Sequence, residues 1–222
     1  MDWVLIAGAL ISVLIVLLVF AIVAGPGFLL ERRRREVLEG FCSNRGYKLT
    51  GTRPSAEADA DIVPWFRIGS RRQWRYQIEG EHLGSRFSAF EFRSSTYGNS
   101  FRDVQYTALM RCEFDSVVLP EFNVTPRGVV ARLAGKLGDP RVEFADDPEF
   151  SKAYAVSTLN EGAVRNLLTK EARAQLASDS GQHVATGRSK LYWYRSGRLP
   201  LPPALDAFID EGQRLRLVLV PV

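Results

Sequence analysis

Histidine and cysteine are scarce in this chain, with two of each in 222 residues. Cys42 and Cys112 lie far apart, one in a predicted helix and one in a predicted strand, which gives no disulfide framework and no metal spacing. They read as reduced, buried thiols. His82 and His183 each lack a neighbouring His or Cys at ligand spacing, so the expectation is no metal and no cofactor. No Gly-x-Ser-x-Gly elbow is present, and Gly80, Gly84, Gly98, Gly135 and Gly138 form no phosphate-cradling run between a strand and a helix. Internal repeats and low-complexity tracts are missing too. The basic excess is small, with 29 Lys and Arg against 25 Asp and Glu, and Arg32, Arg33, Arg34 and Arg35 account for it. The remainder is close to neutral, which leaves no general case for nucleic-acid binding.

What the sequence does have is a long apolar run. From Trp3 to Ala24 no charge interrupts the chain, and Val4 to Val23 is almost wholly Leu, Ile, Val, Ala and Phe. At about 1.5 Å per residue, a helix of that length reaches across the roughly 30 Å of bilayer hydrocarbon. The expectation is a single transmembrane helix that contacts the lipid bilayer through residues 3–24. Arg32–Arg35 on one flank then place the carboxyl-terminal domain in the cytoplasm and the amino terminus outside the cell membrane. Asp2 and the length of the run speak against a cleaved signal peptide. Gly8 and Ser12 form a small-xxx-small pair, a weak case for a homodimer. Gly25-Pro26-Gly27 predicts a hinge.

The expected division is therefore an anchor and hinge over 1–27, a juxtamembrane helix over 28–46, and an α+β domain over 47–222, with a sub-boundary near 125–140. Leu30, Val37, Leu38 and Phe41 recur at helical spacing, and Gly46 stops that helix. Gly51 to Asp61 has no apolar period and reads as a loop. Trp65 to Ile68, Trp74 to Ile78 and Arg86 to Arg93 read as strands. Phe87, Ala89 and Glu91 alternate there against Ser88, Phe90 and Phe92. A turn over Ser94 to Ser100 leads to Phe101 to Phe114, and Val117 to Val124 follows, its Pro120 marking an edge or a bulge. Together these make an antiparallel meander.

The second half is expected to run β-α-β-β-α. A short helix over Gly128 to Leu137 and a brief strand over Val142 to Phe144 precede it. Asp146 to Phe150 is a turn into the strand Ala153 to Thr158. Asn160 caps a helix with Val164, Leu167, Leu168 and Leu176 on its apolar face. His183 to Thr186 and Lys190 to Tyr194 form a hairpin, and Pro202-Pro203 opens the last helix.

Several of these stretches resemble a family of bacterial membrane-anchored proteins of uncharacterised role, with a basic juxtamembrane flank and a cytoplasmic α+β domain. The matching segments are Tyr76-Gln77-Ile78-Glu79-Gly80, Phe90-Glu91-Phe92 and Leu119-Pro120-Glu121-Phe122. In the second half they are Asp147 to Lys152 and Asn160 to Arg165. The resemblance implies architecture and membrane location, and it brings no catalytic residues.

Two sets of side chains stand out as candidate sites. Arg32, Arg33, Arg34 and Arg35 suit anionic lipid headgroups. Trp65, Arg67, Arg71, Arg72, Trp74 and Arg75, with Tyr76, form an interleaved aromatic and basic patch. Such a patch suits stacking, acidic peptides or a membrane surface. Strand alternation offers a plainer reading, with Trp74 and Tyr76 in the core and Arg75 on the opposite face. Asp146, Asp147 and Glu149 lack the ligand pattern of a calcium loop and read as a solvated turn. The functional expectation is a non-enzymatic binding or scaffold module for a protein partner or lipid headgroups. The alternative is a membrane-bound enzyme, a hydrolase, whose site is assembled from residues distant in sequence; no catalytic residue is assigned, and a triad built on His183 is disfavoured because only one of its three roles can be placed.

Overall fold

The computed structural model describes residues 2–51, 62–63, 66, 71–97, 102–128, 141–178 and 181–220. Trp65 and Arg67 lie outside the described residues. So do the loop expected from Gly51 to Asp61 and the helix expected from Gly128 to Leu137, except for their first residues.

The chain opens with one helix, α1, over Asp2–Arg45. The helix runs through Gly25-Pro26-Gly27 without the break expected there. One lost donor at Pro26 is outweighed by propagation from good helix formers on either side. The expected transmembrane helix is also corrected. Among the described residues no helix is long and apolar enough to cross a membrane.

Downstream the strands are β1 (Lys48–Thr50), β2 (Arg71–His82), β3 (Ser85–Tyr97), β4 (Arg102–Glu113) and β5 (Leu119–Pro126), followed by β6 (Arg141–Val142), β7 (Tyr154–Thr158), β8 (Gln182–Arg188) and β9 (Lys190–Ser196). They pair in one nine-stranded sheet of order β1-β2-β3-β4-β9-β8-β5-β7-β6, antiparallel throughout. The β4–β9 pairing fuses the amino-terminal meander to the second half. Leu83 and Gly84 close the β2–β3 hairpin with positive φ angles of 49° and 70°. Two such residues make the tight turn whose twist matches that of the strands.

Among the described residues four shorter helices follow, namely α2 (Pro148–Ala153), α3 (Glu161–Leu167), α4 (Lys170–Ala177) and α5 (Ala204–Leu219). The expected turn at Asp146 to Phe150 includes the start of α2, capped by Asp147, whose side chain accepts from Phe150 N at 3.1 Å. The single helix expected after Asn160 is two, because Thr169 starts a new one by accepting from Ala172 N at 3.2 Å. Asn160 caps α3.

Strand alternation gives the sheet two buried faces. On one, Ile78, Phe87, Ala89, Ala108, Met110 and Trp193 pack against the last turns of α1 (Leu38, Phe41, Cys42) and against Leu205, Phe208 and Ile209 of α5. On the other, Trp74, Phe90, Phe92, Leu109, Tyr192 and Tyr194 gather around Phe66, Ile62 and Val63. Cys42 and Cys112 are free and buried, and burial pushes their thiols up to about 11 and about 12.

The chain leaving α1 is seated by a close approach. Tyr47 packs closely against Gly80, where an added methyl would stand 2.3 Å from a ring carbon, and its ring meets Phe87 edge-on at 5.2 Å. Gly80→Ala should therefore displace Tyr47 and cost about 1–3 kcal/mol, the scale of overpacking a close-packed site. Urea unfolding followed by tryptophan fluorescence will measure it, with Gly84→Asn as the turn control.

Candidate functional site

Four consecutive arginines on a helix cannot share a surface, since each residue turns the next by about 100°. The structure separates them accordingly. Glu31, Arg34, Leu38, Phe41 and Cys42 recur at spacings of three, four and one, and they form the face of α1 turned toward the sheet. Leu38, Phe41 and Cys42 supply its apolar half, and Glu31 with Arg34 its charged half. Arg32 and Arg35 stay largely exposed, each paired one turn on, with Glu36 at 3.0 Å and Glu39 at 2.8 Å. Arg33 is exposed.

The charged half of α1 rests on a buried carboxylate. Glu91 is 0% exposed, although it shares its sheet face with Phe87 and Ala89. Its Oε2 accepts from Arg34 Nη2 at 3.2 Å and from the Leu199 backbone N–H at 3.2 Å. Arg198 Nε lies 3.6 Å away, and Arg75 Nη1 is 3.8 Å from Oε1. Arg34 also donates to the Leu199 carbonyl. One carboxylate thus joins α1, β2, β3 and the segment after β9.

A second carboxylate extends the cluster. Glu31 accepts from Arg75 Nη2 at 2.8 Å, from Arg198 and from the Tyr76 hydroxyl. Burial raises the Glu31 pKa, but the Tyr76 hydroxyl, Arg198 and Arg75 outweigh it and bring the group down to about 2. Burial and Glu31 together push the Tyr76 hydroxyl up to about 12.

Neighbours on a strand point to opposite faces, yet Arg75 and Tyr76 both reach Glu31. A bulge explains it, because the β2–β3 register slips between Arg75 and Ile78 and Tyr76 takes a φ of 52°. The alternation that would place Tyr76 beside Trp74 and opposite Arg75 breaks at that point. Trp74 faces the other core, 4.6 Å from the Phe66 ring centroid, and Arg72 donates to the Phe66 carbonyl at 3.0 Å. Of Arg71 only the strand backbone is described. The described part of the aromatic and basic patch is therefore divided between the two faces of the sheet.

Beside the cluster, α1 stands off the sheet edge and leaves a slot of about 380 Å³. Phe28, Leu49 and Tyr76 give it apolar walls, Arg32 and Arg35 lie along α1, and Glu31 and Arg75 close its inner end. Its size is that of a small-molecule site, and a largely apolar lining with a few converging polar groups is the general form of one. Two further recesses among the described residues, around Phe144 and around Phe87, present a larger polar share of their lining than the slot does.

The other candidate residues have structural partners. Asp146 and Asp147 both bind Arg173, at 2.5 and 3.1 Å, and the Arg173 guanidinium lies 4.5 Å over the Phe144 ring. Glu149 pairs with Lys152 at 2.7 Å. Among the described residues no three His, Cys, Asp or Glu gather as a metal site. His183 is buried and stacked on Tyr194 at 4.7 Å, and burial lowers its pKa to about 4, so it is neutral at pH 7. His82 bridges Asp210 at 2.6 Å and Tyr47 at 3.4 Å, which fastens β2 to α5 and the end of α1. Of Gly8 only the helical backbone is described, and Ser12 is exposed.

Sequence reasoning missed Glu31, Glu91, Arg198, Phe28 and Leu49 as site residues, and it named Tyr76 only as a member of the aromatic and basic patch. A signal for Glu91 was there, since a carboxylate alternating with Phe87 and Ala89 needs a buried cation. Glu31 stands three residues before Arg34, which is the spacing of one helix face.

The lowered Glu31 pKa fixes a pH dependence. A carboxyl whose folded-state pKa is depressed stabilises above its ordinary value of 4.5, and that contribution fades as pH falls toward 2. Glu31→Gln should cost about 1 kcal/mol at pH 7, the scale of a partly solvated ion pair. The deficit should vanish near pH 2, as urea unfolding of both proteins across that range will show.

No protein-family model matches the chain, and no curated protein does. Among solved structures it is similar to the mycobacterial trehalose monomycolate transport factor A, TtfA, with a TM-score of 0.50. The likeness covers 86% of this chain and 96% of that one at 14% identity, and it is a likeness of fold.

Proposed function

We propose that this protein is a binding module for an amphiphilic, lipid-type ligand, seated in the slot between α1 and the β1–β2 edge. The observation that carries this reading is the slot itself. Phe28, Leu49 and Tyr76 offer an acyl chain an apolar wall, while Arg32, Arg35 and Arg75 offer its polar end hydrogen-bond donors. Moving apolar surface out of water supplies the affinity, at about 25 cal/mol per Å² buried. The guanidiniums supply orientation.

Two further points support the reading. The structural neighbour is described as a trehalose monomycolate transport factor, and a cargo with an acyl chain suits such a slot. The titratable groups at the slot, Glu31 and Tyr76, are both held far from neutral pH, Glu31 ionised and Tyr76 protonated. That suits holding a ligand rather than exchanging protons with it.

Filling the slot tests the reading. With the full chain and a fluorescent acyl probe such as parinaric acid, Leu49→Trp should weaken binding about tenfold or more, a loss of about 1.4 kcal/mol. Leu217→Trp, on the exposed side of α5, should bind as the parent does. Unchanged binding by Leu49→Trp would mean that the slot is not the site.

A further inference from the structure

The charges around the inner end of the slot do not balance. Arg34, Arg75 and Arg198 share two carboxylates, Glu31 and Glu91, which leaves one positive charge in excess. Among the described residues no third carboxylate pairs with any of the three. Arg32 and Arg35 carry no comparable excess, being matched by Glu36 and Glu39. Two of the three guanidiniums are also poorly served by water. The side chains of Arg34 and Arg75 are 12% and 23% exposed, against 39% for Arg198, and Arg34 Nε is buried without a hydrogen-bond partner. An uncompensated cation in such surroundings is costly, and an anion brought to it gains more than one held at the solvated rim.

Of the three guanidiniums, only that of Arg75 lines the slot. It stands beside the Tyr76 ring, where the apolar wall ends, with its charge shared between Glu31 and, at longer range, Glu91. We infer that the slot takes an amphiphile bearing one negative charge, a carboxylate or phosphate ester, with its chain against Phe28, Leu49 and Tyr76 and its anionic group on Arg75. This rests on the slot being the ligand site, and it adds a selection. One ligand anion completes the cluster, and a neutral headgroup leaves it unbalanced.

The inference is tested by displacing the acyl probe from the full chain with oleate, oleyl alcohol or acetate. Oleate should displace it at about one-tenth the concentration that oleyl alcohol needs, and acetate should fail. Arg75→Gln should abolish the preference for oleate, whereas Arg33→Gln, at an exposed position off the slot, should keep it. Because Arg75 also supports Glu91, that variant is paired with a measurement on the parent protein. The carboxyl carbon of bound oleate, labelled with 13C, should titrate at least one pH unit below that of free oleate.

Equal displacement by oleate and oleyl alcohol would overturn the selection and leave the slot reading standing. Displacement by acetate as strong as by oleate would assign the site to free anions and overturn the amphiphile. A bound carboxyl that titrates at or above its free value would exclude the seat on Arg75. If neither oleate nor its alcohol displaces the probe, the slot reading fails and the selection with it.

Discussion

A carboxylate removed from water must be matched or it does not stay charged, and Glu91 places that demand in the middle of the fold. Its partners come from three separate parts of the chain. Arg34 lies on α1, Arg75 on β2, and Arg198 and the Leu199 amide just beyond β9. Packing alone would let a long helix slide or roll on a sheet. The ion cluster removes that freedom, because hydrogen bonds at 3.2 Å do not survive a shift of one residue along α1. Below it, Leu38, Phe41 and Cys42 supply the apolar contact and Tyr47 on Gly80 sets where the chain leaves the helix. The slot follows from these constraints, since α1 fixed at Glu91 and again at Tyr47 bridges the short strand β1 and leaves a gap beside it.

The bulge in β2 is the local device that makes the cluster possible. A regular strand would send Arg75 and Tyr76 to opposite faces. With Tyr76 at a positive φ, both meet Glu31, and the aromatic ring becomes a wall of the slot. Geometry and charge meet there, which is why the ligand reading centres on Arg75 rather than on the exposed arginines that dominate the sequence.

Much of the strand framework is legible in the sequence. The alternation of Phe87 to Phe92 and of Val104 to Met110 marks β3 and β4, and Gly187-Arg188-Ser189 marks the β8–β9 hairpin. Asn160 announces α3 by ordinary capping chemistry. The joining of the two halves through β4 and β9 is not legible, since strand order is settled by contacts between distant segments. The site is hidden for a similar reason. Its five charged groups are spread from Glu31 to Arg198, and no spacing rule links them. Composition points to four arginines as one patch, but helix geometry turns one of them inward to Glu91 and leaves another off the slot. The apolar run near the amino terminus also reads differently in the structure, where among the described residues no helix is long and apolar enough to cross a membrane.

Hydrogen exchange on the full chain, comparing the parent with Glu91→Gln, tests most directly whether the buried carboxylate holds α1 in place. The account predicts faster exchange through Glu31–Arg45 of α1 in the variant, with the β4–β9 amides still protected, because the clamp is lost while the sheet persists. Equal protection of α1 in the two proteins would contradict it, and the helix would then be held by its apolar contacts alone.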